Sequence, residues 1–210
     1  TEYLAEFAEE SNIWLPTQLL TSAINPALEL KPYNKPQNGN YYMGVDLAER
    51  VDHSAIAIIE RAKGLNLLHL HKFPLGEPLT SVIGYAKVLA SNWGVVHACY
   101  LDSTKHGDHI TNDFKVSGLP AHGVTFTHNN KMHMAQLLRS RLSDGTLSIP
   151  YHRETLVELN TPTYHLTKQG TIQYDHPLGT HDDVFWAIAL AVLAAEENRP
   201  PSIPIAKIIR

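Results

Sequence analysis

The sequence predicts an α/β domain built on a mixed five-stranded sheet, an antiparallel meander followed by parallel strands, with helices on both faces. Three observations carry this expectation. Residues 41 to 73 hold three apolar runs separated by turn residues. From residue 79 onward, helical and strand-like apolar patterns alternate, which is the signature of a sheet layered with helices. A late run, 181 to 196, is apolar around nearly its whole axis, and a helix of that kind is buried.

Taken in order, the chain starts at Thr1 rather than Met and is expected to be a piece of a longer one. Glu2, Glu6, Glu9 and Glu10 mark an acidic helix-like start, followed by Trp14-Leu15-Pro16 and an amphipathic stretch around Leu19, Leu20 and Ile24. Pro32, Pro36 and Gly39 make 31 to 40 read as a linker, so residues 1–39 are expected to be a tether, with a boundary near 39. The strands expected next are 41 to 48, 54 to 61 and 65 to 73, the last two joined by a tight turn at Lys63-Gly64. Leu79, Val82, Ile83, Ala86, Leu89, Ala90 and Trp93 fall at helical spacing, with Gly94 suited to the position past the helix end. A strand over 95 to 102 follows, then a short helix through Ile110, Phe114 and Val116 closed by Gly118. A strand at Gly123-Val124-Thr125-Phe126 and a helix over 130 to 143 come next. The spacing predicts a helix over 152 to 160 and a hairpin over 163 to 174 around Lys168-Gln169-Gly170. The main domain is expected to cover 40–197. Pro200, Pro201 and Pro204 mark 198–210 as a flexible tail.

Composition narrows the function classes. With 43% hydrophobic and 18% charged residues the chain reads as globular, and its net charge of -4 gives no global basic signature for nucleic acid. A catalytic domain meeting DNA through one groove need not be basic overall. The single Cys99 excludes an internal disulfide framework and a multi-cysteine zinc site, and it fits a reducing compartment. No apolar run approaches the roughly 18 residues of a membrane span.

Carboxylates stand at three places on core elements. Asp46 lies inside the apolar run Tyr41-Tyr42-Met43-Gly44-Val45-Asp46-Leu47-Ala48, Asp102 ends another strand, and Asp182-Asp183 opens the apolar helix. A carboxylate buried without a partner costs several kcal/mol, so Asp46 needs a cation or donor. If strands 41 to 48 and 95 to 102 lie parallel, Asp46 and Asp102 reach the same end of the sheet, where sites in such sheets gather. Converging carboxylates suit hard divalent cations such as Mg²⁺ or Mn²⁺. Two such ions about 3.5–4 Å apart support phosphodiester hydrolysis.

Each residue also has a plainer reading. Asp46 and Asp102 can cap turns. Thr180-x-x-Asp183 matches a capping box with Asp for Glu, and acids in a first turn stabilise the helix dipole. Adjacent helix positions point about 100° apart, so both Asp182 and Asp183 can contribute only at the helix tip. Asp52 and His53, and His181 beside the acidic pair, are candidates to support the ligands from behind, with a polar turn as the alternative for the first two. Lys105, Lys131, Arg139 and Arg141 are candidates for contact with DNA phosphates, against ordinary solvated charge. The pairs His69/His71 and His106/His109 lack a third zinc ligand.

In this order the motifs resemble the ribonuclease H-like superfamily of metal-dependent nucleases, resolvases and integrases. More narrowly, Gly44-Val45-Asp46-Leu47-Ala48, Leu101-Asp102-Ser103-Thr104 with Gly107, and His181-Asp182-Asp183 with Ala187 and Ala189-Leu190-Ala191 resemble the nuclease domain of the large terminase subunit of tailed bacteriophages, over residues 41 to 196. The resemblance implies a ribonuclease H-like fold in which Asp46, Asp102 and one or both of Asp182 and Asp183 bind two Mg²⁺ or Mn²⁺ ions that cut concatemeric double-stranded viral DNA. It also implies an ATPase motor domain, a small terminase subunit and a portal as partners, no membrane, and action in the host cytoplasm. No Gly-x-x-x-x-Gly-Lys-Ser/Thr loop occurs, so no ATP site is expected in this chain. The alternatives are a junction resolvase or transposase of the same superfamily, and a module that binds nucleic acid or a partner without cutting.

Overall fold

In β1 (Gln37–Asp46), every residue from Tyr41 to Asp46 is buried, as befits a strand covered on both faces. The computed structural model describes residues 12–48, 52–167, 171–177 and 179–198. Beside β1 stand β2 (Ala55–Arg61), β3 (Leu65–Lys72), β4 (Trp93–Asp102), β5 (Ala121–Val124) and β6 (Leu147–Ser148), in the spatial order β5-β4-β1-β2-β3-β6. The meander β1-β2-β3 is antiparallel, while β4 runs parallel to β1 and β5 parallel to β4. The five expected strands are all present, and two-residue β6 extends the sheet beyond β3.

Strand parity decides which face each residue serves. Tyr41, Met43 and Val45 of β1, with Cys99 and Leu101 of β4, belong to one core, under α2 (Leu79–Asn92) and α3 (Gly107–Val116). Tyr42 of β1, with Ala98 and Tyr100 of β4, belongs to the other, under α4 (His128–Ser143) and α6 (Asp183–Glu197). Gly44 shares the Tyr42 face. A Cβ there would lie 2.0 Å from the carbonyl oxygen of Ala187 and 2.3 Å from the amide nitrogen of Ala191, so glycine lets the α6 backbone rest directly on β1. By the same parity Asp46 and Asp102 look toward the α6 side, and Asp183 lies one helical turn before Ala187. The Gly44–Ala187–Ala191 seam therefore sets the acidic end of α6 against the acidic ends of β1 and β4.

Several expectations are corrected. The boundary near residue 39 falls inside β1. Residues 12–30 are not a loose tether: Trp14, Leu15, and Leu20 and Ala23 of α1 (Thr17–Ala23) are buried in the α6-side core. The Trp14 indole donates to the Ala135 carbonyl (3.0 Å), and Ile24 forms a β-bridge with Ile149. The proline and glycine composition that suggested a linker describes only 31–40. Gly94 does not close α2, because β4 starts at Trp93 directly off the helix. Its need for glycine lies in a close approach to Gly39, where a Cβ would sit 2.8 Å from the Gly39 carbonyl oxygen. The fifth strand lies at Ala121–Val124, two residues earlier than expected. Helix α4 starts at His128 because Thr127 caps it, accepting from the Asn130 N–H (3.2 Å).

Helix α5 (Arg153–Asn160) matches its expected span, and the late hairpin forms from β7 (Thr163–Leu166) and β8 (Ile172–Asp175) as a separate two-stranded sheet. Gly118 adopts φ 90° after α3, the left-handed close expected of it. The acidic start, the hairpin tip Lys168-Gln169-Gly170 and the tail beyond Asn198 lie outside the described residues.

Candidate metal centre

At the carboxyl ends of β1 and β4, Asp46, Asp52, Asp102, Asp182 and Asp183 line one cleft of about 310 Å³, together with Lys105, Lys131 and Trp186. Asp46 is 9% exposed. Burial pushes its carboxyl well above the usual range, and the charges of Asp102, Asp183, Asp182 and Asp52 push it further. Asp102 is oriented by Thr104, whose backbone N–H (2.8 Å) and hydroxyl both donate to Oδ1, while the Thr104 hydroxyl oxygen accepts from the Phe126 N–H (2.7 Å).

The tip of α6 holds the other half. Asp183 is 2% exposed. Burial raises its carboxyl to about 8, assisted by the charge of Asp52 and by hydrogen bonding with Asp52. Burial alone would raise Asp52 too, but hydrogen bonds from His181, Asp183 and the His53 N–H outweigh it and hold Asp52 below its ordinary value. His181 donates from Nδ1 to Asp52 Oδ1 (3.0 Å), and the His53 ring packs edge-on against His181 at 4.6 Å. His53 in turn donates from Nδ1 to the Phe73 carbonyl (2.7 Å). One ligand atom each from Asp52, His181 and Asp183 lie within 4.8 Å of one another, and no other such trio of metal-ligating residues occurs among the described residues. Asp46 and Asp102 stand outside that tight group but line the same cleft.

The capping box does not form. Thr180 donates its hydroxyl to the Pro177 carbonyl (2.6 Å), and Asp182, at the N-cap position, makes no side-chain cap. Asp182 Oδ2 instead accepts from the Trp186 indole (2.7 Å). Asp183 points inward, and its Oδ2 is buried without a hydrogen-bond partner. An orphaned carboxylate oxygen is costly to keep, and its residue lines a cleft already crowded with acids. The donor set, mostly carboxylate oxygen with one imidazole at the margin, fits a hard divalent cation.

Comparison with protein-family models and with curated proteins finds no match. Among solved structures, the large terminase nuclease of thermophilic phage G20c with bound magnesium superposes with a TM-score of 0.75 at 19% identity, over 88% of this chain and 98% of that one. The fold is that of a large terminase nuclease domain. The nuclease domains from Thermus phage P74-26 (TM-score 0.65, 19% identity, 83% and 92% covered) and from gp2 of bacterial virus Sf6 (0.64, 13%, 85% and 97%) agree. At these identities the likeness is one of fold, and it is the ribonuclease H-like fold expected from the motifs.

The basic candidates divide. Lys105 and Lys131 line the cleft, and the Lys131 ammonium sits 4.4 Å over the Trp186 ring. Arg139 and Arg141 do not reach it. Arg139 stacks on Trp14 at 4.8 Å, and Arg141 pairs with Glu196 Oε2 (2.9 Å). Glu196 lies 13 residues along α6 from Asp183, about 20 Å at the helical rise. His69 is a core histidine, donating to the Lys31 carbonyl (2.6 Å) and accepting from the Tyr85 hydroxyl (2.9 Å). Sequence reasoning missed Tyr174, Asp175 and His176 of the hairpin and Phe126, all lining the cleft. It also missed Lys72 and Glu158 behind Asp183. Lys72 ends a predicted strand, but nothing in the sequence tied it to a helix more than a hundred residues later.

Proposed function

We propose that this domain is a metal-dependent endonuclease that cuts double-stranded DNA during phage genome packaging, as the nuclease part of a large terminase. The observation that carries the reading is the meeting of Asp46, Asp102 and Asp183 in one cleft, with Asp183 Oδ2 buried and unpartnered. The terminase nuclease fold supports it, and so do the structures of the G20c nuclease with bound magnesium and with bound cobalt.

Asp46, Asp102 and Asp183 would hold Mg²⁺ or Mn²⁺, two ions in the fullest form, with Asp182 and Asp52 at the margin. Ions bound there supply an activated water and neutralise charge on the scissile phosphate. Thr104 fixes the Asp102 carboxylate, and the Trp186 indole fixes Asp182. The His53–His181–Asp52 chain orients the side of the cleft behind Asp183. Lys105 and Lys131 would meet the phosphates flanking the cut. The reading places the protein in the host cytoplasm during virus assembly, with an ATPase motor, a small terminase subunit and a portal as partners. Its DNA binding is sequence-indifferent, weak and weakened further by salt.

The deciding experiment is cleavage of supercoiled plasmid with Mg²⁺, Mn²⁺ or EDTA, run beside the Asp46→Asn variant. Metal-dependent nicking and linearisation that disappear in the variant support the proposal. Cleavage unaffected by EDTA, or retained by the variant, overturns it.

A further inference from the structure

Behind the acidic cleft, Asp183 has a cationic neighbour held aside by another residue. Lys72, at the end of β3, donates from Nζ to Glu158 Oε1 at 2.7 Å, whereas its distance to Asp183 Oδ2 is 4.0 Å. The shorter contact is a charge-assisted hydrogen bond and the longer is not a hydrogen bond. The lysine side chain is 26% exposed and that of Glu158 15%, so the pair is partly shielded from solvent. Glu158 comes from α5 and lines a separate cavity of about 270 Å³ with His71, His152 and Val184, outside the acidic cleft. Its second oxygen, Oε2, accepts the Val184 N–H (3.3 Å) in the first turn of α6, a turn that Asp182 leaves without a side-chain cap.

A buried carboxylate beside an ammonium pairs with it unless something else holds that ammonium. Glu158 does so here. With Lys72 engaged on Glu158 and the helix tip tethered through Val184, Asp183 Oδ2 stays 4.0 Å from the ammonium and without a hydrogen-bond partner. We propose that Glu158 is a positioning residue for the metal centre: it keeps Lys72 off Asp183, so that this carboxylate is available to a divalent cation. The inference rests on the nuclease reading above for its biological setting. Its physical content is narrower, namely competition between an ammonium and a metal ion for one oxygen. Loss of a residue supporting a metal ligand from behind typically weakens metal affinity about 10- to 100-fold.

Glu158→Gln separates charge from capping, because the amide oxygen still accepts the Val184 N–H but no longer pairs ionically with Lys72. The proteins to compare are wild type, Glu158→Gln, and Glu158→Gln combined with Lys72→Met. Each is titrated with Mg²⁺, read both by plasmid cleavage and, without DNA, by the rise in melting temperature. Glu158→Gln is expected to raise the half-saturating Mg²⁺ about 10-fold or more, with much less change in the rate at saturating Mg²⁺. The double variant, lacking the competing ammonium, should return toward wild type, a recovery that a purely structural role for Glu158 does not produce. A wild-type-like titration of Glu158→Gln overturns the inference, and so does a double variant as impaired as the single one. If wild type binds Mg²⁺ in the melting assay in that same order but cuts nothing, the positioning role stands and the nuclease reading falls. If Mg²⁺ raises no melting temperature in wild type, both fall.

Discussion

The two ends of α6 treat their acids in opposite ways. At the carboxyl end, Glu196 is held between Arg61 (3.0 Å to Oε1) and Arg141 (2.9 Å to Oε2), and Arg61 also donates to the Ala195 carbonyl (2.6 Å). An acid there opposes the helix dipole, and the two guanidinium groups offset it while satisfying a terminal carbonyl. At the amino end, Asp182 and Asp183 suit the dipole, yet they sit with Asp46, Asp52 and Asp102 in a cleft that Lys105 and Lys131 also line, so five acids meet two lysines there, while Lys72 behind Asp183 is committed to Glu158. Compensated charge marks the end that holds the fold together. Uncompensated charge marks the end prepared for a cation.

The strongest break in this contrast is Asp46→Asn. It should abolish metal-dependent cleavage while raising the metal-free melting temperature, because it removes one member of a mutually repelling group. Relief of about 1 kcal/mol corresponds to roughly 2–4 °C for a chain of this size. A fall in metal-free melting temperature would mean that Asp46 is a structural acceptor instead. At the opposite end, Arg141→Met should cost about 1–2 kcal/mol in urea unfolding, since it leaves the partly buried Glu196 short of a donor. The half-saturating Mg²⁺ should not move. A change in metal response from that distance would blur the division between the two ends.

Titration sharpens the comparison further. The Asp183 carboxyl is raised to about 8 from an ordinary 3.8. The folded state therefore holds a proton that the unfolded state has released, and stability falls as pH rises between those values. His69 acts oppositely: burial lowers its folded value from 6.5, so its contribution is full above 6.5 and lost as pH falls below it. Between pH 6.5 and about 8 only the carboxyl effect remains of these two. Metal-free protein should melt at progressively lower temperature across that window, and Asp183→Asn should flatten the slope. A flat wild-type profile would contradict the raised Asp183 carboxyl. The smallest expected effect is that of Lys131→Ala, which should weaken duplex binding modestly and reduce the salt slope by about 1. An unchanged slope would remove Lys131 from the DNA path.

Much of the site was legible because strand parity is local. Tyr42, Gly44 and Asp46 alternate with Tyr41, Met43 and Val45, and a carboxylate at the end of such a run announces itself. The capping-box pattern Thr180-x-x-Asp183 misled for an equally local reason: it describes a bond the backbone can make, and Glu158, from another helix, supplies the cap instead. Arg139 and Arg141 looked like their cleft-lining counterparts Lys105 and Lys131. Only their partners, Trp14 and Glu196, distinguish them. Trp14 itself looked like part of a tether, although its indole reaches the carbonyl of residue 135.

The sequence by itself determined the meander, the buried last helix and the three carboxylate positions, since periodicity and an acid within an apolar run are properties of neighbouring residues. The tertiary structure alone decided which charges are neutralised, that Asp183 turns inward while Asp182 is held by Trp186, and that residues 12–30 belong to the core. Those outcomes depend on distances between segments far apart in the chain. Electrostatic and packing energies vary with such distances, and the order of residues does not contain them.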